Sequence, residues 1–203
     1  ITAAQVVNLT TQQIVALTTT QAAALTSAQA PSLTVSQLQS IETQDLAKLT
    51  TDAVKSLTAN QAKSLTTDQV AALTTAQIAA IETAKLAELT TAQVVALTTQ
   101  QMAGLTTAQL ANMTSAQVAA LETRDVVNLS TAQLKALTTA QMPQLTTAQI
   151  ANLTTSQVAT LETADVAVLT TAQVSNLGTD QVNALTSGQI VSLRRDPAPL
   201  QAP

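Results

Sequence analysis

The residues best equipped for chemistry in this 203-residue chain form one recurrent pattern. Glu42, Glu82, Glu122 and Glu162 stand 40 residues apart, and the third residue after each is Asp45, Lys85, Asp125 and Asp165 respectively. Carboxylates at this spacing share one face of a helix. Such a pair can serve acid–base catalysis, ligate a hard cation, or compensate charge at a helix start. Catalysis lacks its usual company. The chain has no His and no Cys, and none of its many Ser and Thr hydroxyls has a candidate base. There is no P-loop, Gly-rich phosphate loop or dinucleotide fingerprint. Cation binding has hard oxygen donors in its favour, but Lys85 places an ammonium at the ligand position of one repeat. Helix-dipole compensation asks least of the residues. The chain is therefore read as non-enzymatic, with no catalytic, cofactor-binding or metal residue assigned and no cofactor. The role of the four Glu stays open, with a stacked cation-binding column as the sharper alternative.

The elements that carry these residues are set by a faster beat. Every eighth residue from Ile1 to Leu193 is a large aliphatic; of 25 such positions, 21 are Leu and the rest are Ile1, Ile41, Ile81 and Met113. Numbered from that column, the octad reads Leu-Thr-Thr-Ala-Gln-Val-Ala-Ala. Position two is Thr or Ser in 19 octads, position five is Gln in 19 of the first 24, and position six is Val, Ile, Leu or Met in 21 of those 24. A period of eight sustained along the whole chain means a repeat array.

A single long helix does not fit this period. At about 100° per residue each octad overshoots whole turns by roughly 80°, so the Leu column would spiral round the helix. A strand fails because the apolar residues do not alternate. Thr-x-x-Gln, however, is a capping box. With Thr10 at the N-cap, Gln13 is the third helical residue, and Leu9 and Ile14 form the flanking hydrophobic staple. One motif thus accounts for four of the eight positions, and it predicts a helix start every eight residues. The stops are not made by Gly, which occurs three times; the next Thr pair must compete for the backbone. Pro31 and Pro143, both at position seven, fit helices of one to one and a half turns. A helix this short is not stable alone in water, so successive coils of the array must bury each other's Leu, Val and Ala.

The expected fold is an all-α solenoid, a superhelical coil of very short capped helices, one per octad, with a higher-order period of 40 residues or five octads. The ordered array is expected over 1–193 and a flexible C-terminal tail over 194–203, where Arg194-Arg195-Asp196-Pro197 breaks the pattern. If forty residues complete one turn of the coil, Glu42, Glu82, Glu122 and Glu162 stack in one column, with Lys85 and Arg124 relieving its middle. The alternative is that forty is only the length of a duplicated segment.

Composition narrows the partners. Only 10% of residues are charged, the net charge is -4 and there is no basic patch, which argues against nucleic acid. No run of 18 apolar residues occurs, which argues against membrane insertion. The chain starts in register without Met, as expected of a stretch from a longer tract, and a targeting signal would lie outside it.

Runs such as Ala72-Leu73-Thr74-Thr75-Ala76-Gln77-Ile78 and Ala96-Leu97-Thr98-Thr99 resemble the Ala-Leu-Thr-Thr-Ala-Gln octapeptide-repeat tracts of large bacterial secreted or surface proteins of adhesin or RTX-like type. The resemblance implies an extracellular or cell-surface setting and a structural or adhesive task. The Gly-rich calcium nonapeptides of RTX domains are absent. The expected function is a spacer or stalk module whose partners are neighbouring repeats of the same larger chain or a cell-surface ligand. The competing readings are a binding or adhesion module using the outer face, and an ice-binding Thr array.

Overall fold

The computed structural model describes residues 2–193. Among them are 22 α-helices and two short 3₁₀ elements, and no strand. Each octad contributes one element, and each α-helix is four to seven residues long.

The octad Leu73–Ala80 shows why. Thr74 is extended (φ -69, ψ 156) and caps the helix Thr75–Ala80. Its hydroxyl accepts from the Gln77 N–H at 3.2 Å, and the Gln77 side chain accepts from the Thr74 N–H at 2.7 Å. This reciprocal box recurs from Thr2 and Gln5 onward. Helix ends need no left-handed residue, and none of the described residues has a positive φ. The preceding helix instead tightens into a last 3₁₀ bond, Leu73 N–H to Val70 O at 3.3 Å. Leu73 then turns extended (φ -59, ψ 140) and hands the chain to the next cap. Two extended residues therefore make each corner, and their φ values suit Leu and Thr without strain. In the two Pro octads the element is 3₁₀, Ala30–Ser32 and Met142–Gln144. Proline has no N–H with which to extend the preceding helical turn.

Helices stack on those three octads away: Thr75–Ala80 lies between Thr51–Ser56 and Thr99–Gly104, and Thr163–Ala167 lies against Ser187–Leu193. Hydrogen bonds between coils connect residues 25 to 31 apart. One turn thus closes between three and four octads. The expectation of five octads per turn is overturned, because bonds of fixed register tie each coil to the one about three and a half octads before it. Forty residues overshoot that turn, so Glu42, Glu82, Glu122 and Glu162 do not stack in a column. The forty-residue beat is a period of sequence, not the pitch of the coil.

Positions one and six fill the interior. Leu33, Leu38, Leu65, Val70, Leu105 and Leu110 belong to one continuous buried cluster. Without Phe, Trp or Tyr the core is aliphatic throughout, and a turn this short leaves room for little else. The column is only partly buried at the two ends, at Leu9 and Leu17 and again at Leu169, Leu177 and Leu185, as expected where a coil has a neighbour on one side only. Gly104 marks a close approach between coils: a Cβ there would sit 2.0 Å from Thr75 Cγ2. The last described helix is Ser187–Leu193, and the tail expected over 194–203 lies outside the described residues.

Candidate functional site

The position-five glutamines are the feature that the fold turns upon. Gln37, Gln61, Gln69, Gln77, Gln93, Gln101, Gln109 and Gln117 are all buried despite their polar side chains. Each completes a cap with its Oε1 and reaches the preceding coil with its Nε2. Gln109 is representative. Its Oε1 accepts from the Thr106 N–H at 2.9 Å. Its Nε2 donates to the carbonyls of Ile78 (2.9 Å), Ala79 (3.3 Å) and Ile81 (2.8 Å), which lie 31, 30 and 28 residues earlier. Those carbonyls are the last of one short helix and the extended corner after it; Ile78 O also takes the closing 3₁₀ bond from Ile81 N–H at 3.2 Å. One amide therefore satisfies the start of one helix and the end of another. The pattern begins where it must: Gln5, Gln13 and Gln21, in the first coil, are exposed, whereas Gln37 is buried and donates to Val6 O at 3.0 Å and Leu9 O at 2.7 Å.

This second use of Gln was not expected from the capping box, which a glutamate satisfies equally. The strength of the choice was the available signal. Position five is Gln in 19 of 24 octads and never Glu. Near a helix N-terminus a carboxylate would otherwise be favoured; only a need to donate excludes it.

The four Glu octads depart from this rule at both positions. Glu42, Glu82, Glu122 and Glu162 sit at N-caps with the usual extended backbone but make no cap hydrogen bond. Each octad deals differently with the missing amide. Lys85 places its ammonium where an amide would be: Nζ donates to Lys55 O at 2.7 Å, 30 residues earlier, and lies 3.3 Å from Glu82 Oε2. Asp125 accepts a hydrogen bond from Thr99 Oγ1 at 2.8 Å, with Arg124 Nε 3.8 Å away and also 2.7 Å from Glu122. So the relief expected from Lys85 and Arg124 occurs, but within each octad rather than along a column. Burial pushes the Asp165 carboxyl above its ordinary range; a hydrogen bond from the Glu162 backbone opposes this, and the Glu162 charge adds to it. Asp45 is buried with its Oδ1 lacking any hydrogen-bond partner.

The Asp165 shift has a consequence for stability. A carboxyl whose pKa is raised by folding costs nothing while protonated in both states. The cost grows as pH rises through the range between its unfolded and folded values, and is complete above the folded value. Asp165→Asn should therefore melt above the parent at pH 7, and the gain should vanish as pH falls below the ordinary carboxylate range. Thermal melts from pH 3 to 7 would check this.

No group of three or more Asp, Glu, His or Cys side chains comes together among the described residues in a way that could hold a metal. A surface cleft of about 360 Å³ lies over Thr163, Ala164, Ala167, Gly188, Val191 and Ser192, with no titratable side chain among the described residues that line it. Among the described residues, no helix is long and apolar enough to cross a membrane.

Short capped helices in register, tied coil to coil by a buried amide, define a helical repeat solenoid built from octapeptides. The family model of the ALTTAQ repeat matches residues 38–75, 78–117, 118–155 and 158–194, and the chain belongs to that family. The four matched segments follow one another at close to the forty-residue spacing of the Glu octads, so five octads make one family unit. No curated protein shows significant similarity to the chain.

Proposed function

We propose that this repeat module is a non-enzymatic spacer or stalk within a large bacterial secreted or surface protein. The observation that carries this reading is the inter-coil amide. A Gln octad supplies the donor for the coil before it and the carbonyls for the coil after it, so the array lengthens by octads without a new design at each step. The partners are accordingly neighbouring repeats of the same larger chain. The extracellular setting rests on the resemblance of the Ala-Leu-Thr-Thr-Ala-Gln runs to tracts of that kind. A module whose polar groups are consumed in holding coils together suits the transmission of length and stiffness better than chemistry. The Thr hydroxyls at position two are engaged in caps, which favours the structural use over an ice-binding array.

The test is a series of arrays with 16, 24 and 32 octads studied by small-angle X-ray scattering. A spacer gives a maximum dimension that rises linearly with octad number at constant cross-section. A dimension that saturates as the chain folds back into a globule would overturn the reading.

A further inference from the structure

The four Glu octads occupy the same register, yet only one of them leaves a buried oxygen unanswered. In the Gln octads from Gln37 onward the amide nitrogen donates to carbonyls of the preceding coil, three of them in the case of Gln93: Ala62 O (3.1 Å), Lys63 O (3.2 Å) and Leu65 O (2.7 Å). In register, the corresponding carbonyls for position 45 are those of Ile14, Val15 and Leu17. Asp45 brings no amide to them. Its side chain is one methylene shorter than Gln and ends in acceptors only. The residue is 3% exposed, and Oδ1 has no partner. By register the Asp45 carboxylate takes the place of an amide donor to these carbonyls, of which Ile14 O keeps the bond from Leu17 N–H at 3.1 Å; a buried acceptor without a partner is costly unless a donor or a cation joins it.

The equivalent position in the second Glu octad shows which of these the cradle accepts. There the Lys85 ammonium lies against Lys55 O and Glu82 Oε2. A positive charge tethered to the chain thus fills the same register, held by one backbone carbonyl and the N-cap glutamate. The Asp45 octad has the glutamate, Glu42, but no tethered cation among its salt bridges. Glu42 accepts a hydrogen bond from Gln44 Nε2 at 2.7 Å, which leaves its other oxygen available. Thr99 and Arg124 answer Asp125, and the Glu162 backbone N–H answers Asp165.

We propose that Asp45, with the carbonyls of Ile14, Val15 and Leu17 and the carboxylate of Glu42, binds one calcium-sized hard cation between the first and second coils. The donor set is all oxygen and carries two negative charges, which suits a divalent ion that takes six to eight oxygen ligands, the remainder coming from water. The ion would do for this octad what Lys85 does for the next Glu octad: supply the positive partner of the carbonyls and clamp two coils together. Because it binds the coil and not the unfolded chain, it stabilises the fold by mass action.

The full chain, stripped of metal, would be titrated with calcium chloride by calorimetry at pH 7 and melted with and without calcium. One calcium per chain and a melting temperature raised by several degrees, reversed by a chelator, are expected. Asp45→Gln restores the amide that the other octads use, so it should fold, melt at least as high as the calcium-loaded parent, and give neither heat nor shift. Lys85→Asp should raise the stoichiometry from one to two. Absence of a calcium response in the parent, or an equal response in Asp45→Gln, would overturn the proposal.

Discussion

Gln109→Glu should unfold the middle of the array at neutral pH although it keeps the capping box. The variant still offers an oxygen to the Thr106 N–H, which in the parent donates to Gln109 Oε1 at 2.9 Å. What it loses is the donor to Ile78, Ala79 and Ile81. In its place stands a carboxylate at a residue that is 1% exposed, against three carbonyl oxygens. Leaving a buried charge without its partner costs about 3–5 kcal/mol, against about 1–3 kcal/mol for a buried neutral group left unbonded. Gln109→Met, which fills the space without charge, should thus be the milder change. The two also differ with pH. A protonated glutamic acid regains an O–H donor, so its folded pKa is raised, and the penalty is present above that value and fades as pH falls through it. Guanidinium titrations at pH 7 and pH 4 decide the matter: Gln109→Glu should recover most of its lost stability at the lower pH, and Gln109→Met should not. Equal losses for the two variants at pH 7 would mean that the amide is merely filler.

That variant also marks the boundary of what the sequence made legible. The helix starts were readable because a cap is local: Thr, Gln and the staple residues all lie within one octad, and their spacing is their geometry. The all-helical repeat followed from the period of eight alone. The second hand of the glutamine was not readable in the same way, since its partners lie 28 to 31 residues earlier and no motif names backbone carbonyls. The clue lay in a negative preference, Gln without Glu at a position where the helix dipole favours Glu. The number of octads per turn failed for a related reason. The Glu octads offer a conspicuous marker at forty, but it belongs to the repeated segment and not to the pitch. The pitch is set by how far two extended corner residues and a short helix turn the chain, which reflects backbone angles such as those of Leu73 and Thr74 and not any side-chain period. Once the turn is known, the exceptions at position five in the Glu octads become interpretable. Lys85, Asp125, Asp165 and Asp45 are four answers to one missing amide, and without the partner coil they look like unrelated charges.

A turn that is not a whole number of octads makes the array tolerant of one kind of deletion and intolerant of another. Removing the single octad 105–112 brings Met113 directly after Gly104, in the position that Leu105 held. Every later glutamine still finds, about three and a half octads back, the end of a helix and a corner. The deletion should cost one repeat's share of helical circular dichroism and leave one cooperative melt, with a loss of no more than a few degrees. Removing the four residues 107–110 is half as large and should do far more damage. Gln133, which now donates to Leu105 O at 2.8 Å, would face the preceding coil out of phase, as would each glutamine whose bonds span the cut. The buried column at Leu105, Met113 and Leu121 would lose its register with the coil beneath. Two half-arrays remain internally intact, so the melt should split into two transitions, each below the parent, with the segment between them open to protease. Parallel melts of the two deletions therefore test the inter-coil register directly. A single parent-like transition after the four-residue deletion would refute the inter-coil register, and a split transition after the eight-residue deletion would refute the equivalence of octads on which the coil depends.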